Sequence, residues 1–438
     1  MNIDGPSRRL KRLQWTASAL CAASITINYI DRGTIAIANL DIRHTFGLDA
    51  TAMGALISAW SFAYALSQLP SGFLIDRVGA RWLLGAALFL WSAAQAAGGM
   101  ALSFTQLLMS RAALGVTEAP AYPSAARVTS QWYHPRSRGL PTGVYTGSSV
   151  LAPAVAPPIL TALMLAFGWR VMFIAVGGCG IVASVLWVML YRDVRDAALP
   201  AAELAHLGPD ATRRGPPMTL RQWARLFRFR TIWGLILGSF GLGYVFWMYF
   251  GWLPAFLEMQ YHISIARTGF LSALPWIGGV AGALLGGYFS DVLARRGFDA
   301  MACRKIPTVG GLIAMALFTA AAAMVNSAPL ALCCIFLVVF SGMVSTTGLW
   351  SLVTVATPKN SVASAASIPN CGAYLGATCS PIITGLLVDL TGSFVAALLT
   401  GAAVGLVCSG FYVFLVRQPV PDEDGDSELL PQAEAISP

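Results

Sequence analysis

Residues 72–81 read Gly72-Phe73-Leu74-Ile75-Asp76-Arg77-Val78-Gly79-Ala80-Arg81, and their outline returns as Gly287-Tyr288-Phe289-Ser290-Asp291-Val292-Leu293-Ala294-Arg295-Arg296. Gly72, Phe73, Leu74, Asp76 and Arg81 match Gly287, Tyr288, Phe289, Asp291 and Arg296 at one constant spacing of 215 residues. In both places a long apolar run ends on an acid followed by a base. A repeat of that period in a chain of 438 residues means two halves built alike.

Composition sets what those halves are. With 56% apolar residues, 11% charged residues and a mean hydropathy of +0.67, the chain cannot be one water-soluble domain. Apolar runs of about 20 residues mark helices that span a bilayer. Hydropathy gives twelve of them, at 15–38, 51–73, 82–101, 105–131, 139–166, 170–191, 231–257, 267–290, 306–325, 329–356, 361–387 and 393–416. The predicted fold is an all-α membrane protein with twelve transmembrane helices in two pseudo-symmetric six-helix bundles around a central cavity. Repeated halves of this kind place a substrate near the bilayer midplane and rock about it.

The domain division follows, with residues 1–191 as the first bundle and 231–417 as the second. Between them, 192–230 reads as a cytoplasmic linker. Its Leu220, Trp223, Ala224 and Phe227 fall at i, i+3, i+4 and i+7, with Thr219 and Gln222 spaced as a capping box and arginines opposite, the pattern of an amphipathic helix lying on a membrane surface. The acidic stretch 418–438 is expected to be disordered. Of the 28 Lys and Arg residues, only Arg32, Arg43, Arg111, Arg127, Arg170 and Arg267 lie away from the termini and the even-numbered connections. That asymmetry predicts both termini in the cytoplasm. The net charge of +8 is then a topology signal, and no nucleic-acid partner is expected. Arg8, Arg9, Lys11 and Arg12 run straight into a span too long for a signal peptide, so the first helix should be retained. The eight cysteines show no metal-ligand spacing and are expected to be packing residues. His44, His134, His206 and His262 fall in loops or at span edges. Trp82, Trp132 and Trp169, near predicted edges, read as interfacial anchors. Pro120, Pro123, Pro153, Pro157 and Pro158, with Gly143 and Gly147, predict kinks and close packing in the fourth and fifth spans. No Walker loop, nucleotide fold or catalytic-triad spacing is present, which weighs against an ATP-driven pump and against an enzyme.

Four ionisable residues lie at depth: Asp31 and Arg32 in the first span, Arg111 and Glu118 in the fourth. A charge in hydrocarbon costs about 2.5–3.5 kcal/mol on insertion scales and survives where it is paired or lines a watery cavity. Arg111 and Glu118 are seven residues apart, two helical turns, hence on nearly one face and ~10 Å apart along the axis. Arg32 and Arg111 come to similar depths on separate helices. Two guanidiniums, fixed in charge and rich in N–H donors, suit a planar carboxylate. An anion that occupies one of them releases Asp31 or Glu118 to take a proton, which couples the two fluxes.

The run Gly72-x-x-x-Asp76-Arg77-x-Gly79-x-Arg81 resembles the loop signature of the major facilitator superfamily, and Arg111-x-x-x-Gly115-x-x-Glu118 resembles its fourth-helix motif. Asn28-Tyr29-Ile30-Asp31-Arg32, with Glu118-Ala119-Pro120-Ala121-Tyr122-Pro123, is similar to the anion:cation symporter family within it. That family includes bacterial D-galactonate and hexuronate carriers, and sialin and the vesicular glutamate transporters are similar to it. The resemblance implies proton-coupled import of a small organic anion, foremost a sugar acid, across a bacterial inner membrane, by a monomer with protons as coupling ion and no cofactor. It implies Arg32, Arg111, Tyr29, Tyr64, Trp350 and Asn370 as substrate contacts and Asp31 and Glu118 as proton carriers. Asp76, Arg77, Arg81, Asp291 and Arg296 are expected to form conformational gates; Val292 stands where the first copy has Arg77. Thr346, Thr347 and Tyr374 are further candidates, since no charge lies well inside the later six spans. Near Ser239 the family's sugar-acid members can carry an amide. An aromatic-anion or dicarboxylate carrier or exchanger, and a nutrient sensor built like a transporter, remain as alternatives.

Overall fold

The computed structural model of the chain describes residues 7–134, 137–207, 224–357 and 362–420, and among them every regular element is helical. The helices of the first half are α1 (Arg8–Ile37), α2 (Asn39–Phe46), α3 (Ala50–Val78), α4 (Ala80–Gly99), α5 (Phe104–Glu118), α6 (Ala121–Trp132) and α7 (Gly139–Leu190). A short α8 (Ala201–Leu207) follows. The second half has α9 (Arg230–Tyr261), α10 (Ile265–Leu271), α11 (Leu274–Arg295), α12 (Ala302–Met324), α13 (Ala328–Ala356), α14 (Val362–Thr391) and α15 (Val395–Leu415).

Among the described residues these helices make up twelve passes. The long run α7 holds two of them, because Gly168 (φ 79°) leaves the helical region and turns the chain back; a side chain there would strain the backbone. The fourth pass is split into α5 and α6, as its prolines predict. Pro123 has no N–H to give the Ala119 carbonyl four residues earlier, and Gln68 Nε2 approaches that carbonyl at 3.5 Å instead. The eighth pass is broken between α10 and α11, just before Pro275. Large apolar side chains such as Leu66, Met109, Leu284 and Leu390 stand exposed around the perimeter, as a lipid-facing surface requires.

Within the first half α1 and α4 pack on α7, and α3 on α5; within the second, α9 packs on α14 and α15, and α13 on α11 and α12. The halves meet through α3 with α14, α7 with α10 and α11, and α1 with α9. Many of these contacts lie toward the face opposite the chain termini. There Asp389, at the end of α14, accepts hydrogen bonds from Ala50 N (2.9 Å), Thr51 N (2.6 Å) and Thr51 Oγ1 (2.5 Å), capping α3 from the other half. Arg43 reaches Met259 across the same face.

Several expectations are corrected. Trp132 and Trp169 are 1% and 7% exposed, packed in the core rather than anchored at an interface. Trp169 donates to Thr45 Oγ1 and lies edge-on to Phe46. Gly143 and Gly147 face open space and make no close packing contact. Residues 418–420 are not a free tail: Gln418 O accepts from Thr231, Val420 N donates to Ala356 O, and Val420 is buried. Most of the expected surface helix, and the acidic tail from residue 421, lie outside the described residues.

Candidate functional site

α1 and α5 bring the four charged residues to one place. Arg32 Nε donates to Glu118 Oε2 at 2.8 Å, with both side chains buried. The Trp60 indole N–H of α3 donates to the same oxygen at 2.9 Å. That arrangement depends on Gly115, one turn before Glu118: a Cβ there would stand 2.2 Å from the Trp60 carbonyl, so only glycine lets α5 and α3 touch backbone to backbone.

The second base is held differently. Arg111 Nη1 donates to Gln95 Oε1 (3.2 Å), Gln95 Nε2 donates to Thr34 Oγ1 (2.9 Å), and the Thr34 hydroxyl donates to the Asp31 carbonyl (2.7 Å). Asp31 is fully buried, within electrostatic reach of Glu118, Arg111 and Arg32 and beside Trp91. Among the described residues several charged atoms meet no hydrogen-bond partner: both Asp31 oxygens, Arg32 Nη1 and Nη2, Arg111 Nε and Glu118 Oε1. Buried polar atoms without partners are rare in folded proteins, and a charged network left partly unsatisfied is a place for a ligand or a proton.

Aromatic rings close around Arg32. Its guanidinium carbon lies 4.2 Å from the Trp60 ring, 4.7 Å from Tyr29, 5.0 Å from Tyr64 and 5.8 Å from Trp247. Trp247 belongs to α9, so the second half places a ring over a cation of the first. Tyr374 of α14 packs on Tyr64 with centroids 4.5 Å apart and the ring planes tilted by 44°. The cleft between the halves that both Arg32 and Arg111 line has a free volume of about 10 Å³. Less than one water fits there comfortably, so an anion enters only as the rings part.

The expected substrate contacts divide on this geometry. Tyr29, Tyr64, Arg32 and Arg111 come together, and Tyr374 joins them. Asn370 is half-buried and sits one turn along α14 from Tyr374, on the same face. Trp350 is 44% exposed, outside the ring cage. The Thr346 and Thr347 hydroxyls bond to backbone carbonyls of Gly342 and Met343 in their own helix. Ser239 bonds to Tyr412 and faces α15, away from the cleft. Of the expected gates, Arg81 bonds to the Val188 carbonyl in the first half and comes within 4.0 Å of Asp196 in the linker that follows it. Arg77 and Arg296 are exposed on the terminal face, and the side chains of Asp76 and Asp291 lie outside the described ones. Trp60, Gln95 and Trp247 are contributors that charge patterning does not mark; only the i, i+4 placement of Trp60 and Tyr64 and the amide of Gln95 in an apolar span point to them. Among the described residues no cluster of His, Cys, Asp and Glu could hold a metal ion.

Residues 21–374 match the model of the Major Facilitator Superfamily. This chain belongs to that superfamily. It is 40% identical over 421 residues, 96% of its length and 93% of the relative's, to a "Probable L-galactonate transporter" of Escherichia coli (strain K12). It is 29% identical to a D-galactonate transporter of Escherichia coli O6:H1, covering 95% and 97% of the two chains. In fold it is similar to a bacterial homologue of the human lysosomal transporter Spinster, in an inward-facing and unoccupied conformation, with TM-score 0.74, 19% identity and 94% and 96% coverage. This superfamily member is a multi-pass membrane transporter and not an enzyme, and the two relatives above are named for galactonates.

Proposed function

We propose that this transporter is a proton-coupled importer of a small organic anion, foremost a sugar acid, in a bacterial inner membrane with both termini cytoplasmic. The observation that carries the reading is the Arg32–Glu118 pair at the interface of the halves, with both Arg32 Nη atoms unpartnered. A substrate carboxylate occupies the open edge of Arg32 and loosens its bond to Glu118. The released acid, in surroundings poor in water, takes a proton. Arg111 and Asp31 form the second base and acid of the same exchange. With substrate negative and acid neutralised, the loaded site carries less unpaired charge, and the halves rock around it by alternating access. The resemblance to sugar-acid carriers and the 40% identical relative support the substrate class. The four rings around Arg32 favour an aromatic monocarboxylate as the second reading.

Uptake of radiolabelled L-galactonate into proteoliposomes with an inward proton gradient tests the proposal. Accumulation is expected in the wild type and is lost in Arg111→Ala. Glu118→Gln is expected to exchange anion across the membrane yet fail to concentrate it. A receptor would bind without accumulation, and full uphill uptake by Glu118→Gln would remove that residue from proton coupling.

A further inference from the structure

The two sides of the cleft differ in chemistry. On the first-half side stand Arg32, Arg111, Trp60 and Ser61, which can donate hydrogen bonds, beside Ile35 and Ile57. Facing them from the second half are Trp247, Phe250, Gly251 and Ala377, which carry no cationic or amide side chain. Trp247 is held in place from several directions, with ring centroids 4.9 Å from Trp60, 4.9 Å from Phe250 and 5.9 Å from Tyr374, and it is only 8% exposed.

Resting on the sugar-acid reading of this site, we infer that Trp247 makes the transporter selective for monocarboxylates and excludes acids with a carboxylate at both ends. A sugar acid whose carboxylate sits on the arginines extends its carbon chain toward Trp247 and Phe250. The C–H face of a neutral polyol packs on an indole. A second carboxylate meets the faces of two rings, which carry negative partial charge, and loses water with no uncommitted cation beside it, because the nearest, Arg32, is 5.8 Å from the Trp247 ring and already holds Glu118 and the first carboxylate. The two bases of the site belong to the other side, Arg32 paired with Glu118 and Arg111 hydrogen-bonded to Gln95.

The test compares galactonate with galactarate, which differ at the far terminus alone, by titration calorimetry on the purified full chain at about pH 8, where both acids are ionised. The wild type is expected to bind galactonate at least about tenfold more tightly, within the range that a penalty of about 1–3 kcal/mol for an unsatisfied buried group gives. Trp247→Phe keeps that ratio. Trp247→Arg supplies the missing cation and narrows the ratio to about threefold or reverses it, through a gain for galactarate; Trp247→Gln narrows it less and serves if the arginine variant does not fold. Equal or tighter galactarate binding by the wild type, or a ratio that both folded polar variants leave unchanged, overturns the inference while leaving the sugar-acid reading standing. Failure of the wild type to bind either acid overturns that reading and the inference with it.

Discussion

Glu118 uses its two oxygens unequally: Oε2 accepts from Arg32 and Trp60, and Oε1 accepts from neither. A proton therefore has one obvious seat, on Oε1, where it can arrive without first breaking the bond to Arg32. Arg111 has no such carboxylate contact and depends on Gln95. Gln95→Leu removes the acceptor of Arg111 Nη1 and the donor to Thr34 together. Because a buried hydrogen bond to a charged group is worth about 1.5–3 kcal/mol, anion affinity should fall about tenfold or more. Titration of the variant with galactonate checks this, and an affinity equal to the wild type would detach Gln95 from the site. At this scale the charged residues and the tyrosines Tyr29, Tyr64 and Tyr374 were legible, and Trp60, Gln95 and Trp247 were not. Asp31, Arg32, Arg111 and Glu118 stand out because a membrane helix seldom tolerates a charge that has no task. Trp60 and Trp247 do not stand out, since an aromatic in a membrane helix is more often packing. Nor does sequence spacing reveal that Glu118 pairs with Arg32, on a separate helix, rather than with Arg111 on its own.

Among the helices, α3 and α14 make the closest crossing between the halves. A Cβ on Gly54 would stand 2.3 Å from the Pro381 carbonyl, and one on Gly385 would stand 2.1 Å from the Ala50 carbonyl. Backbone meets backbone, and deeper in, Ser61 Oγ donates to the Ala377 carbonyl at 3.2 Å. Membrane helices approach this closely only through small residues. Gly385→Leu should therefore force the two helix ends apart while leaving each half intact. Pulsed electron–electron distance measurement, with spin labels at Thr51 and Leu390 in a background free of native cysteines, is expected to show a longer distance than the Gly385 protein gives. An unchanged distribution would mean that the crossing is not held by contact. Hydropathy located each pass, and the prolines located the break between α5 and α6, because both are local properties of the chain. The crossings were out of reach: Gly54 and Gly385 look like any glycine in an apolar span, while Gly143 and Gly147, which look the same, face open space.

Taken whole, the molecule has one face closed, and a carboxylate belonging to one half caps a helix belonging to the other. The amino end of α3 presents free N–H groups and a partial positive charge. Asp49 satisfies one of them from its own chain neighbourhood, accepting from Ala52 N at 2.7 Å. Asp389 satisfies two more, from Ala50 and Thr51, along with the Thr51 hydroxyl. Those bonds exist only while the halves are together on this face, so they stabilise the closed arrangement and vanish when it opens. A helix cap is worth about 1 kcal/mol when its side chain is removed. Asp389→Ala should thus shift the ratio of closed to open molecules by roughly fivefold toward open. Asp389→Asn, which keeps an acceptor but loses the charge, should fall between. Accessibility of a cysteine placed at Ser61 to a membrane-impermeant maleimide, applied from the face opposite the termini, reports the open fraction directly. It should rise in the order wild type, Asp389→Asn, Asp389→Ala, and labelling that is equal in all three would show that the cap does not hold the halves closed.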